Sequence, residues 1–208
     1  MGDGRNGQRI MVDSLESIEQ GHEISKQRFR PALFLDRDGV INVDLGHVGT
    51  IDLFVWIEGA REAIRNANEL GYYVFVATNQ AGIAKGCYSL ENYFALTQHI
   101  RAELSRFGAH IDDERYCPYH PEAVVLAYRR DSDWRKPKPG MIIDLLSHWA
   151  VDKSASLMIG NKNSDLEAAH AAGIVAGHLF TGGRLDDFVS PLLQSRRLSI
   201  SESNAHEG

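Results

Sequence analysis

Apolar runs along the chain are short and stop abruptly at polar clusters. Ala32-Leu33-Phe34-Leu35 ends at Asp36, and Tyr73-Val74-Phe75-Val76-Ala77 ends at Thr78-Asn79-Gln80. Ser156-Leu157-Met158-Ile159 ends at Gly160-Asn161, and a weaker run from Val175 to Phe180 ends at Thr181-Gly182-Gly183. Continuous rather than alternating apolar runs fit strands buried on both faces. Between them, Gly59–Leu70, Leu90–Phe107, Met141–Trp149 and Asp165–Ala172 carry apolar residues at helical period. Strands alternating with helices imply right-handed βαβ units. The expected class is α/β, a Rossmann-like doubly wound parallel sheet covered by helices. Ligands of such sheets bind beyond the carboxyl ends of the strands, which makes Asp36, Thr78 and Asn161 expected neighbours.

Both ends of the chain break the pattern. Residues 1–30 are rich in Gly, Ser, Glu and Arg and read as a flexible arm, with one short helix conceivable around 14–20. Residues 190–208 read as a flexible tail, which leaves 31–189 as the globular domain. With 43% apolar and 24% charged residues, the 208-residue chain is not collagenous, coiled-coil or wholly disordered. A net charge of −6 argues against gripping nucleic acid through bulk charge. No stretch approaches the roughly 20 apolar residues of a membrane helix, and no apolar signal segment opens the chain. A cytoplasmic monomer or weak homo-oligomer with no membrane or nucleic-acid partner is expected. Cys87 and Cys117 are the two cysteines, too few for a disulfide framework or a four-cysteine zinc site.

The segment Leu33-Phe34-Leu35-Asp36-Arg37-Asp38-Gly39-Val40-Ile41 carries the strongest chemical signal. Carboxylates at i and i+2 past a buried strand face one site, and Gly39 permits a tight turn there. Two such carboxylates repel unless a cation lies between them, and Mg²⁺ takes hard oxygen ligands of this kind. An Asp-Gly turn at a strand end is the alternative. Thr78 and Asn79 offer a hydroxyl, an amide and backbone N–H groups to phosphate oxygens, or else a helix cap. Arg135-Lys136-Pro137-Lys138-Pro139 concentrates three cations, as a phosphate contact or as a solvated basic loop. Asp165, four residues after Asn161, either caps the next helix or supports a metal site.

Together these segments resemble the haloacid dehalogenase (HAD) superfamily over about Pro31 to Asp187. Asp36-Arg37-Asp38-Gly39-Val40 is similar to that superfamily's first motif. The segments Thr78–Gly86, Tyr116–Pro121, Arg135–Met141 and Ile159–Asp165 resemble the branch of D-glycero-D-manno-heptose 1,7-bisphosphate and histidinol-phosphate phosphatases. The resemblance implies a Mg²⁺-dependent phosphomonoester hydrolase without a separate cap domain. Asp36 would be the nucleophile that forms an aspartyl-phosphate, and Asp38 the general acid and base. Thr78, Asn79, Arg135, Lys136 and Lys162 would bind phosphate and substrate. Asp36, Asp38, Asn161 and Asp165 would hold the metal. The implied substrate is a small phosphate ester, a heptose bisphosphate first and histidinol phosphate second. A catalytically weakened sugar-phosphate binder is the rival from another class. A nucleic-acid 3′-phosphatase is disfavoured by the acidic balance.

Two departures from the family pattern stand out. Asn161 occupies a position where the family has an aspartate ligand, which removes one negative charge from the implied metal site. The zinc loop of many relatives is also altered: Cys117 remains, but Tyr119, Ser132 and Trp134 replace the other ligands, with His120 one residue out of register. A structural Zn²⁺ needs four N/S ligands, so no zinc is expected. Cys117 reads as an inert, half-buried thiol beside aromatic packing. Other histidines, among them His47, His99, His148 and His170, show no ligand spacing and read as surface or core fillers.

Overall fold

The computed structural model describes residues 29–205, with side chains described to 196. The expected arm therefore lies almost entirely outside the described residues. Arg30, its last position, belongs to the domain: its backbone N–H donates to Ala150 O at 3.0 Å, and its guanidinium covers the Tyr73 ring at 4.0 Å.

Five strands form one parallel sheet in the order β3-β2-β1-β4-β5. They are β1 (Ala32–Leu35), β2 (Tyr73–Asn79), β3 (Asp113–Cys117), β4 (Leu157–Gly160) and β5 (Ala176–Leu179). The main helices are α1 (Ala60–Glu69), α2 (Leu90–Arg106), α3 (Gly140–His148), α4 (Asn163–Ala171) and α5 (Leu185–Ala205). The chain steps outward from β1 to β3, then crosses back and steps the other way from β4 to β5. Right-handed crossovers taken in opposite directions place their helices on opposite faces. Accordingly Leu33, Leu35, Val74 and Val76 pack with residues of α1, α2 and α5. Ala32, Phe34, Phe75 and Ala77, one position out of phase, pack with α3 and α4. This alternation explains the continuous apolar runs, because both faces of the sheet are core.

Between Asp38 and Gly59 the chain makes only a narrow flap. Val43 N–H donates to Val55 O at 2.9 Å and Ile57 N–H to Ile41 O at 3.0 Å, closing its base. Trp56, at that base, donates its indole N–H to Glu103 of α2 at 2.5 Å. No cap domain is inserted here.

Two parts of the sequence reading need correction. β3 was not expected, because Asp113-Glu114-Arg115-Tyr116-Cys117 is mostly polar. It is an edge strand whose charges are paired: Arg115 with Asp113 at 2.6 Å and Asp144 at 2.5 Å, and Glu114 with Arg101 at 3.1 Å. The tail expected from residue 190 is instead helical through Ala205, in α5. Leu185, Val189 and Leu193, spaced four apart, are buried against α1, and Tyr72 Oη donates to Leu193 O at 3.1 Å. Leu193→Ala should therefore lower stability by about 2–4 kcal/mol in urea unfolding. A loss under 0.5 kcal/mol would show that this helix is not part of the core.

Among the described residues no helix is long and apolar enough to cross a membrane.

Candidate active site

The strand ends bring three charged groups into contact. Asp36 continues β1 by one residue, its N–H donating to Ile159 O of β4 at 3.0 Å. This places its side chain between the ends of β2 and β4. Lys136, on the loop leading to α3, is only 3% exposed. Its ammonium lies 2.8 Å from Asp36 Oδ1, 2.7 Å from Asp165 Oδ1 and 2.6 Å from Ala77 O. Three acceptors match the three N–H bonds of the ammonium. Burial alone would pull the lysine pKa down, but Asp36 and Asp165 outweigh it and hold the pKa above the usual value. Lys136 is a fixed positive charge under Asp36. The other Asp36 oxygen takes no hydrogen bond among the described residues.

Asn79 clasps the backbone beside that lysine. Its Nδ2 donates to Lys136 O at 3.0 Å, and its Oδ1 accepts from Lys136 N–H at 3.1 Å. One hydrogen of the amide expected to meet phosphate is thus spent on placing Lys136, while Asn79 also lines the cleft described below. Thr78, 1% exposed, accepts at Oγ1 from Gln80 Nε2 at 2.8 Å and does not reach the cleft wall. Asp165 combines its two expected roles in a different way. Oδ1 pairs with Lys136, while Oδ2 accepts from the N–H groups of Asn161 at 3.1 Å and Lys162 at 3.0 Å, capping α4. Both oxygens are thus engaged within the chain, one as a charge partner and one as a cap, while Asp165 also lines the cleft described below. Gly160 makes this possible, since a Cβ there would sit 2.3 Å from Asp165 Cβ.

Asp38 is held by donors on three sides. Arg37, buried, donates to Oδ1 from Nε at 3.2 Å and from Nη2 at 2.9 Å. Asn42 Nδ2 donates to Oδ1 at 3.0 Å, and Gln80 Nε2 to Oδ2 at 3.0 Å. Arg37 Nη2 also donates to Val48 O, tying this cluster to the flap. Sequence reasoning assigned no part to Arg37, Asn42 or Gln80. The first two lie within seven residues of Asp36, and Gln80 follows the Thr78-Asn79 pair, but nothing in the spacing told which side chains turn inward.

These groups line an open cleft of about 520 Å³ at the carboxyl end of the sheet. Its floor holds Asp36, Asp38 and Lys136, and its walls present Lys85, Arg135 and Lys162. Lys162 Nζ is 3.4 Å from Asp44 of the flap, and Lys85 Nζ is 3.4 Å from His47 Nε2. His47, expected to be a filler, therefore stands on the cleft wall, as does His120. Lys138 points away and pairs with Asp131 at 2.6 Å.

In the loop expected to have exchanged zinc ligands for packing, Cys117 is fully buried instead of half-buried, and burial pushes its thiol pKa up. The Arg130 guanidinium stacks on Tyr119 at 3.6 Å, and the Tyr119 and Tyr128 rings lie 6.1 Å apart.

Comparison with known proteins agrees with this fold. The HAD-hydrolase-like family model matches residues 133–185. A D-glycero-beta-D-manno-heptose-1,7-bisphosphate 7-phosphatase of Rhodopseudomonas palustris is 48% identical over 173 residues, 83% of this chain and 96% of that protein. The chain belongs to the heptose bisphosphate phosphatase branch of the HAD superfamily. It is a phosphatase. Another member, a D-glycero-alpha-D-manno-heptose-1,7-bisphosphate 7-phosphatase of Burkholderia mallei, is 45% identical over 143 residues, 69% of this chain and 76% of that protein. Among solved structures, a D,D-heptose 1,7-bisphosphate phosphatase from B. bronchiseptica complexed with magnesium and phosphate superposes with a TM-score of 0.67. It shares 26% identity and covers 83% of this chain and 99% of its own.

Beside the cleft floor of this family member lies an oxygen that suits a hard cation. Asn161 Oδ1 is buried with no hydrogen-bond partner among the described residues. An orphaned carbonyl oxygen in a polar site is what a metal would satisfy. Asn161 is held there by close contact with Gly39, whose φ is +90° and whose added Cβ would meet Asn161 Nδ2 at 2.0 Å.

Proposed function

We propose that the protein hydrolyses the 7-phosphate of a D-glycero-D-manno-heptose 1,7-bisphosphate, with Asp36 as nucleophile. The buried contact of Lys136 with Asp36 and Asp165 carries this reading. It fixes one Asp36 oxygen and leaves the other clear toward the cleft. That oxygen attacks phosphorus and forms an aspartyl-phosphate, while Asp38 gives its proton to the departing sugar oxygen. Asp38 then takes a proton from water as the water attacks phosphorus. Phosphate leaves, and the Asp36 carboxylate is restored. Lys136 and the N–H groups past β2 stabilise charge gathering on the phosphoryl oxygens.

A Mg²⁺ would be held by Asp36, the Asp38 carbonyl and Asn161 Oδ1, and would supply charge neutralisation between an anionic nucleophile and an anionic ester. Asn161→Asp adds a full negative charge to that set, so it should tighten Mg²⁺ binding by about tenfold or more in calorimetry. Unchanged affinity would remove Asn161 from the ligand set.

Lys85, Arg135 and Lys162 on the walls favour a substrate with a second anionic group. They disfavour histidinol phosphate, whose far end is cationic. The deciding measurement is phosphate release from heptose 1,7-bisphosphate beside histidinol phosphate, with the position of the remaining phosphate read by NMR. Faster turnover of histidinol phosphate would overturn this choice of substrate.

A further inference from the structure

Tyr88 stands outside every role assigned so far, although it is almost buried and reaches the reacting groups through one intermediary. Its hydroxyl donates to Gln80 Oε1 at 2.5 Å. The opposite end of that amide, Gln80 Nε2, donates to Asp38 Oδ2 at 3.0 Å and to Thr78 Oγ1 at 2.8 Å. Gln80 is 1% exposed, and both of its amide hydrogens are used. The Tyr88 ring lies between two glycines: a Cβ on Gly49 of the flap would come within 2.0 Å of it, and one on Gly82 within 2.2 Å. No other residue type at those two positions leaves room for the ring where it stands.

The two oxygens of Asp38 are treated unequally. Oδ1 receives Arg37 Nε, Arg37 Nη2 and Asn42 Nδ2, while Oδ2 receives Gln80 Nε2 and a longer 3.2 Å contact from Arg37 Nη2. The more heavily bonded oxygen is the anchor, which leaves Oδ2 to exchange the proton with the leaving group. We infer that Tyr88 and Gln80 are positioning residues that aim Asp38 Oδ2 at the departing sugar oxygen, with the flap residue Gly49 holding Tyr88 in place. This inference rests on Asp38 being the proton donor.

The chain works as a ratchet of orientation. An amide whose oxygen is held by a phenol O–H must point its N–H groups the other way, toward Asp38. Turned over, it would set its oxygen against the carboxylate. Burial pushes the Tyr88 pKa well up, so the phenol keeps its proton and remains a donor. The flap reaches Asp38 by a second route as well, through Val48 O and Arg37. Seating of the flap and aiming of the acid are therefore one geometric condition.

A merely structural role for Tyr88 predicts an equal loss on all substrates, whereas a role in aiming the acid does not. A sugar alkoxide needs a proton to leave, but 4-nitrophenolate scarcely does. The quantity to measure is the ratio of kcat/KM for heptose 1,7-bisphosphate to that for 4-nitrophenyl phosphate, because kcat/KM reports steps up to phosphorylation of Asp36. Tyr88→Phe should lower this ratio about tenfold, and Gln80→Met about 30- to 100-fold, within the usual worth of general acid catalysis. Gln80→Met serves independently should Tyr88→Phe disturb the flap. Asp38→Asn measured beside them separates the two levels of the argument. If Asp38→Asn lowers the ratio and neither of the other variants does, the positioning role is refuted while the proton donor stands. If Asp38→Asn leaves the ratio unmoved, Asp38 is not the donor and both ideas fall.

Discussion

Asp36→Asn should abolish turnover, by about 10⁴-fold or more in kcat/KM, while leaving the protein folded. The substitution keeps the shape of the side chain and an oxygen for the Lys136 ammonium, which sits 2.8 Å from Asp36 Oδ1. What it removes is the nucleophilic pair of electrons on a charged oxygen. An amide oxygen is a poor nucleophile, and neither of the two carboxylates nearest to it stands ready in its place. Asp165 has both oxygens committed, and Asp38 is fixed by Arg37, Asn42 and Gln80. Acid quench during turnover, followed by mass spectrometry, should find a phosphate on the peptide containing Asp36 in the parent protein and none in the variant. Retention of more than a few per cent of activity would falsify the covalent route.

Lys136→Met should damage stability and activity together. Breaking a buried charge pair by removing one partner typically costs about 3–5 kcal/mol, because the remaining charges are left in a poorly solvated place. Here two carboxylates face the deleted ammonium, at 2.8 and 2.7 Å. Urea unfolding should show a loss within that range, and kcat/KM should fall about 10²–10³-fold as a preorganised charge on the phosphoryl group disappears. Adding Asp165→Asn should return about 1–3 kcal/mol of stability, since one of the two facing charges is then gone, but should return little activity. An additive double variant would mean that the three groups do not act as a unit. A free energy of unfolding unchanged in Lys136→Met alone would mean the same.

The sheet was legible because its central strands are covered on both sides. Leu33 to Leu35 and Val74 to Ala77 could be read as buried strands without knowing their partners. β3 escaped the same reading because an edge strand can satisfy polar side chains laterally, as Arg115 does with Asp113 and Asp144. α5 escaped for the opposite reason. Leu185, Val189 and Leu193 have helical spacing, but the polar residues Asp186, Asp187 and Ser190 and the helix breaker Pro191 interrupt the run, and only the α1 surface shows what the three cover.

At the cleft, the shared location of Asp36, Asp38 and Lys136 followed from the strand ends and from the family resemblance. The partners did not. Asn79 and Thr78 were expected to touch phosphate; Asn79 lines the cleft but also clasps the Lys136 backbone, and Thr78 accepts from Gln80. A side chain that can bind a ligand can equally bind its neighbour, and chain spacing alone does not decide between them. Gln80, Tyr88 and Lys85 went unassigned, and His47 was read as a filler, because their part depends on how the flap folds over the strand ends.

The charged edge strand has a bearing on how the protein behaves in a crowded solution. An open sheet edge is a template on which another chain can lay a strand. Any strand added alongside β3 would have to cover the half-buried charges of Asp113, Glu114 and Arg115, and would disturb partners on α2 and α3 that already hold them. The composition that hid this strand from pattern reading also makes it a poor nucleus for aggregation.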